Sequence, residues 1–134
     1  MAILIDSSVL ISLERGAGDL SSLVRGREDE EVFISVITAS ELLHGVHRAR
    51  SAKTRARRLA FVEGVLAALP VLDIDVATAR SHAQLWSDLE QKGKMIGPHD
   101  SWLAATCLAR DFTLLTENLR EFKRVPGLRV EAPG

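Results

Sequence analysis

Short apolar runs alternate with amphipathic stretches along this chain, and each change of pattern marks a predicted element. Ala2-Ile3-Leu4-Ile5 reads as a buried strand, followed by a helix from about Ser7 to Arg15 that stops at Gly16. A second short helix is predicted near Asp19 to Arg25, and Val32 to Val36 reads as the second strand. Further helices are expected from about Thr38 and from Ser51 to Leu69, the latter ending before Pro70. Val71 to Ile74 reads as the third strand. From Asp75 to Lys92 the apolar positions Val76, Ala79, Ala83, Trp86 and Leu89 recur every three or four residues, which predicts a helix burying that stripe. Pro98 is well placed to open a helix to about Arg110, Phe112 to Thr116 reads as a fourth strand, and Leu128 to Val130 as a short fifth.

Strands alternating with helices need crossover connections, so the predicted class is α/β: one three-layer domain over residues 1–134, with a mainly parallel sheet of four to five strands flanked by helices. In such sheets ligands bind beyond the carboxyl ends of the strands, where the following helices begin. That edge is the place to look for chemistry.

Composition narrows the classes. At 46 % hydrophobic and 26 % charged residues in 134 positions, the chain has apolar material for a core and is neither disordered nor of low complexity. No apolar stretch approaches the roughly 18 residues of a membrane span, so no membrane association is expected. A single cysteine, Cys107, cannot form an intramolecular disulfide, which fits a reducing, cytoplasmic setting. Seventeen basic against eighteen acidic residues leave a net charge of -1, but the distribution is uneven. Arg48, Arg50, Lys53, Arg55, Arg57 and Arg58 are offset only by Glu63, whereas Glu28 to Glu31 form an acidic run. The basic segment reads either as a solvated helix face or as an anion-binding surface.

Three carboxylates fall on the edge of interest. Asp6 follows the first strand, Glu41 is placed in the first turn of the helix after the second, and Asp100 in the first turn of the helix after Gly97-Pro98. Each has a structural reading: Asp6 as an N-cap, Thr38 to Glu41 as a capping box, Asp100 as a complement to a helix dipole. Parallel topology, however, gathers strand ends and helix starts, so the three can converge. Asp100 also shares a helical stripe with Leu103, Ala104, Cys107 and Leu108, and an acid on a buried stripe needs a partner. Crowded carboxylates repel one another unless a cation neutralises them, and an all-oxygen set favours Mg²⁺ or Mn²⁺ over zinc. His44 and His47 share a helical face but lack a zincin pattern, and His99 beside Asp100 is a candidate for proton transfer.

The Leu4-Ile5-Asp6-Ser7-Ser8-Val9-Leu10-Ile11 start, Ser40-Glu41-Leu42-Leu43-His44-Gly45, Ile96-Gly97-Pro98-His99-Asp100, and Leu114-Leu115-Thr116-Glu117-Asn118 with Phe122, Val125, Pro126, Gly127 and Leu128 together resemble the PIN-domain ribonucleases. More narrowly, they are similar to the VapC toxins of bacterial toxin–antitoxin pairs. The resemblance spans nearly the whole chain in order. It implies a Mg²⁺- or Mn²⁺-dependent endoribonuclease that cleaves structured RNA, commonly tRNA or rRNA, is silenced by a VapB-type antitoxin, and forms a homodimer. Carried over by position, Asp6, Glu41 and Asp100 match the acidic metal-site residues. Thr116 matches a hydroxyl at this edge, and Asn118 stands where many relatives carry an Asp.

The mechanism expected from this set is hydrolytic, with water rather than the ribose 2′-hydroxyl attacking phosphorus and the ion stabilising phosphoryl charge. Arg48, Arg50, Lys53 and Arg55 are the candidate RNA-backbone contacts, although the same helices are equally placed to grip an antitoxin. With 4 % aromatic residues and no tyrosine, base stacking is not expected to dominate. Trp86 and Trp102 read as packing residues, in the core or at a subunit interface. Competing readings fare worse: Ser8 occupies the second-Asp position of a haloacid-dehalogenase-like phosphatase, a receiver would pair Asp6 with another acid, and no glycine-rich nucleotide loop exists. The remaining alternative is a catalytically weak PIN domain that binds RNA or protein.

Overall fold

A computed structural model of the chain describes residues 2–16 and 18–134. Five strands, β1 (Ala2–Ile5), β2 (Glu31–Ser35), β3 (Val71–Leu72), β4 (Thr113–Leu115) and β5 (Arg129–Glu131), form one sheet in the order β3-β2-β1-β4-β5. Every pairing is parallel, with Ile3 opposite Val32 on one side and Thr113 on the other. The helices are α1 (Ser7–Glu14), α2 (Leu20–Leu23), α3 (Val36–His47), α4 (Ala52–Ala68), α5 (Val76–Lys92), α6 (Pro98–Arg110) and α7 (Leu119–Phe122).

The central strand shows why a continuous apolar run is required. Ile3 and Ile5 point into a core shared with Val9, Leu10, Leu42, Val46, Val62 and Val65, whereas Leu4 points into a second core with Leu85, Leu89, Leu103, Leu114 and Phe122. Alternating side chains thus serve opposite faces, and with helices on both faces all of them must be apolar. The three-layer α/β architecture stands as expected. Strand order advances outward from β1 through β2 to β3, then reverses to β4 and β5, so the topological switch point lies between β1 and β4. No helix of the described residues is long and apolar enough to cross a membrane.

Three expectations need correction. The buried face of α5 carries Thr78, His82, Leu85 and Leu89, whereas Val76 and Trp86 of the expected stripe are 66 % and 50 % exposed. The face is turned because His82 finds partners there: its ring stacks on Trp102 at 3.6 Å between centroids, and its Nε2 lies 3.0 Å from Ser101 Oγ. The third strand is only Val71–Leu72, and α3 begins at Val36, two residues before the expected Thr38.

Candidate active site

Asp6 occupies the N-cap position of α1, yet its side chain makes no capping hydrogen bond. The carboxylate turns instead along the strand ends. Its Oδ2 accepts from Ser8 Oγ at 2.9 Å and from Thr116 Oγ1 at 2.7 Å, and the residue is only 3 % exposed. Thr116 Oγ1 accepts from the Asn118 backbone N–H at 2.9 Å, and Ser8 Oγ from that of Glu117 at 3.1 Å. Two hydroxyls therefore tie the end of β1 to the end of β4 across the switch point and fix the Asp6 carboxylate there.

Glu41 is released from the capping role the sequence suggested. Because α3 starts at Val36, Ser35 is its N-cap, accepting from the Ile37 N–H at 3.0 Å, and Glu41 falls in the second turn. Its Oε2 lies 3.5 Å from His99 Nδ1, whereas its Oε1 is buried without a hydrogen-bond partner. Burial pushes the Glu41 carboxyl above its ordinary range, His99 opposes the rise, and the charge of Asp6 adds to it.

Asp100, in the first turn of α6, meets an acid that sequence reading overlooked. Glu121 on α7 accepts the Gly97 N–H at 2.8 Å through Oε1. A Cβ at Gly97 would stand 3.6 Å from Asp100 Oδ2 and 3.7 Å from Glu121 Oε1, so both carboxylates close over this glycine. Burial, then the charges of Asp6 and Glu121, a hydrogen bond shared with Glu121, and the charge of Glu41 push Asp100 up to about 7. Glu121 moves the other way, held low by the Gly97 N–H first, with the Asn118 amide and Asp100 also contributing. Of the two, Asp100 is the one that takes up a proton more readily. The available signal for Glu121 was the Asn-x-x-Glu spacing of a helix start at Asn118.

The structure thus gathers Asp6, Glu41, Asp100 and Thr116 at one edge. Asn118 reaches them indirectly, donating from Nδ2 to Glu121 Oε2 at 2.7 Å. Arg48 and Arg50 line a groove of about 880 Å³ that also contains Glu41, Glu14 and Arg57, with Ile11, Leu42 and Val62 as apolar wall. Lys53 is exposed outside that lining, and Arg55 donates to the Ala49 carbonyl at 2.9 Å, which closes the turn before α4. Arg58, bonded to the Gly45 carbonyl and 3.6 Å from Glu14, braces α4 against α3 and α1.

The donor set suits a hard divalent cation. It is all oxygen, one buried carboxylate oxygen of Glu41 has no partner, and the crowding of charge that pushes Asp100 up is what a cation would relieve. Among the described residues no three His, Cys, Asp or Glu side chains already enclose a common ion position, so uptake would draw the carboxylates inward.

Residues 3–128 match the PIN domain family. The chain belongs to this family. Within it, the relatives are VapC ribonucleases: Ribonuclease VapC1 of Rickettsia felis is 35 % identical over 97 % of this chain and 95 % of its own length. The tRNA(fMet)-specific endonuclease VapC of Salmonella typhimurium is 40 % identical over 73 % of this chain and 72 % of its own. The DNA-bound VapBC structure from Salmonella typhimurium superposes with a TM-score of 0.89 at 30 % identity, covering 100 % of this chain and 99 % of that one. In this PIN domain the acids converge at the sheet edge where an α/β fold places its ligands.

Proposed function

We propose that the protein is a VapC-type toxin: a cytoplasmic, Mg²⁺- or Mn²⁺-dependent endoribonuclease that hydrolyses phosphodiester bonds in structured RNA, with tRNA the first substrate class to test and rRNA the second. The observation that carries this reading is the convergence of Asp6, Glu41, Asp100 and Glu121, one with an orphaned buried oxygen and one protonated near neutrality.

Asp6, Glu41 and Asp100 would hold the ion, with Glu121 adding a fourth negative charge that Asn118 does not supply. A bound divalent cation supplies Lewis-acid stabilisation of phosphoryl charge. The chain supplies the rest. Ser8 and Thr116 keep Asp6 in one orientation, and Glu121 anchors the start of α6 through the Gly97 N–H, which fixes Asp100. His99 beside Glu41 is placed to accept or return a proton at Nδ1. Arg48 and Arg50 line one flank of the acids, with Lys53 and Arg55 farther along α4, and contact RNA phosphates there. The mixed apolar and cationic lining of that groove also suits an amphipathic segment of a VapB-type antitoxin. Exposed Val76 and Trp86 on α5 offer the apolar face for a homodimer.

The test is cleavage of purified total tRNA and rRNA by antitoxin-free protein with Mg²⁺, with Mn²⁺ and with EDTA, beside Asp100→Asn. Discrete metal-dependent cuts lost in the variant, with products free of 2′,3′-cyclic phosphate, support the proposal. Tight RNA binding without cleavage by the parent protein, over this range of substrates, favours the binding-module reading.

A further inference from the structure

A second basic surface adjoins the Asp100–Glu121 pair, outside the segment the sequence singled out. A concavity of about 380 Å³ is lined by Gly93, Lys94, Arg120, Lys123 and Arg124. Every side chain in that lining is cationic. Among the described residues no carboxylate stands within ion-pair distance of Lys94, Arg120 or Lys123. Arg124 ties the surface together by donating from Nη1 to the Met95 carbonyl at 2.8 Å, which joins α7 to the loop between α5 and α6.

Position relates this surface to the chemistry. Arg120 flanks Glu121, and Lys94 precedes Gly97 by three residues, so the two chain segments that build the concavity also carry the Asp100–Glu121 pair. The Arg48 and Arg50 groove meets the acids at Glu41 instead. A phosphodiester held for cleavage needs its strand gripped on both sides of the scissile bond, because one contact leaves the other arm free to swing. The groove beside Glu41 would hold one of these arms.

We propose that Lys94, Arg120, Lys123 and Arg124 bind the RNA sugar-phosphate backbone beside the Asp100–Glu121 pair, on a flank of the acids distinct from that of Arg48 and Arg50. This rests on the nuclease reading above and extends it to where the substrate lies. Phosphates are the matching occupant because the lining offers charge and N–H donors but no apolar side chain. Protein anchors, in contrast, seat aromatic or aliphatic side chains in desolvated pockets, and the walls for that exist in the Glu41 groove.

The experiment measures binding of unfractionated tRNA to the full chain carrying Asp100→Asn, with and without Lys94→Ala and Lys123→Ala together, across a range of salt. Two lost phosphate contacts should weaken binding about tenfold at low salt and flatten the slope of log affinity against log salt by about 1.5. Lys94→Arg with Lys123→Arg should restore both. Unchanged affinity and slope overturn the proposal, as does a loss confined to binding of a VapB-type antitoxin. Lys94 and Lys123 are both exposed, and thermal unfolding unaltered from that of Asp100→Asn alone verifies the fold. Metal-dependent cleavage by the parent protein is read separately: if it is absent while the salt slopes still differ, the nuclease reading falls and this binding surface stands.

Discussion

Asp100 and Glu121 come from different helices, close over the same glycine and are driven to opposite ends of the carboxylate range. Asp100 is the member pushed up, because burial first and then the charges of Asp6, Glu121 and Glu41 disfavour its carboxylate, whereas Glu121 is compensated by the Gly97 N–H and the Asn118 amide.

The rise of Asp100 makes stability depend on pH with a definite sign. Asp100 titrates at about 7 in the folded protein but near 3.8 when unfolded, so folding takes up a proton in that window and its contribution to stability falls as pH rises through it. Asp100→Asn removes the repulsion. In EDTA at about pH 8 the variant should be more stable than the parent by about 1–2 kcal/mol after screening of the solvent-facing part, a Tm gain of several degrees, and the gain should vanish near pH 4. Calorimetry at the two pH values decides it: a gain that does not change with pH would show that charge repulsion is not its source.

Thr116 carries two hydrogen bonds on one hydroxyl, to Asp6 Oδ2 and from the Asn118 N–H. Thr116→Val keeps the shape and removes both, leaving a buried carboxylate oxygen with only Ser8. A loss of about 2–3 kcal/mol in stability is expected, together with a tenfold or greater fall in cleavage. Thr116→Ser should recover most of each, and its failure to do so would assign the effect to packing.

Glu121→Gln preserves an oxygen for the Gly97 N–H but deletes the charge that raises Asp100. Cleavage should fall about tenfold or more at saturating Mg²⁺, and the metal concentration for half-maximal activity should rise, while thermal stability in EDTA holds or improves. Full activity with unchanged metal dependence would remove Glu121 from the working set.

His82 gives the opposite pH response. Its burial pulls the pKa below the ordinary value of 6.5, so as pH drops beneath that value the unfolded chain takes the proton first and stability is lost. Replacing it by Phe keeps the stack on Trp102 and leaves Ser101 its bond to the Pro98 carbonyl. In His82→Phe the fall in Tm between about pH 6.5 and 5 should flatten. A persistent fall of equal size would place its origin in another group.

The alternation of strands and helices was legible because both faces of this sheet are buried, which makes Ala2 to Ile5 continuously apolar and sets it apart from the amphipathic helices around it. The acids Asp6, Glu41 and Asp100 were legible for a related reason: parallel topology fixes which ends of the chain segments meet. The orientation of α5 was not, since a face holding His82 is recognised only once Ser101 and Trp102 are there to satisfy it. Glu121 was hidden by its setting in a one-turn helix, where four residues give no periodicity. Its partner Asn118 stood at the position that drew attention, and the amide donates to the acid rather than replacing it.

The order of the strands has a consequence for synthesis. β1 sits in the middle of the sheet, and its partner β4 arrives more than a hundred residues later, as does Thr116, the hydroxyl that orients Asp6. While the chain is being translated, the emerged part carries Asp6 and Glu41 without Asp100 or Glu121, and the central strand lacks one neighbour. The edge that gathers these acids can close only after the segment from Thr116 to Glu121 has left the ribosome. A nuclease laid out in this way keeps its acids apart beside the RNA-rich machine that makes it until that late segment has emerged.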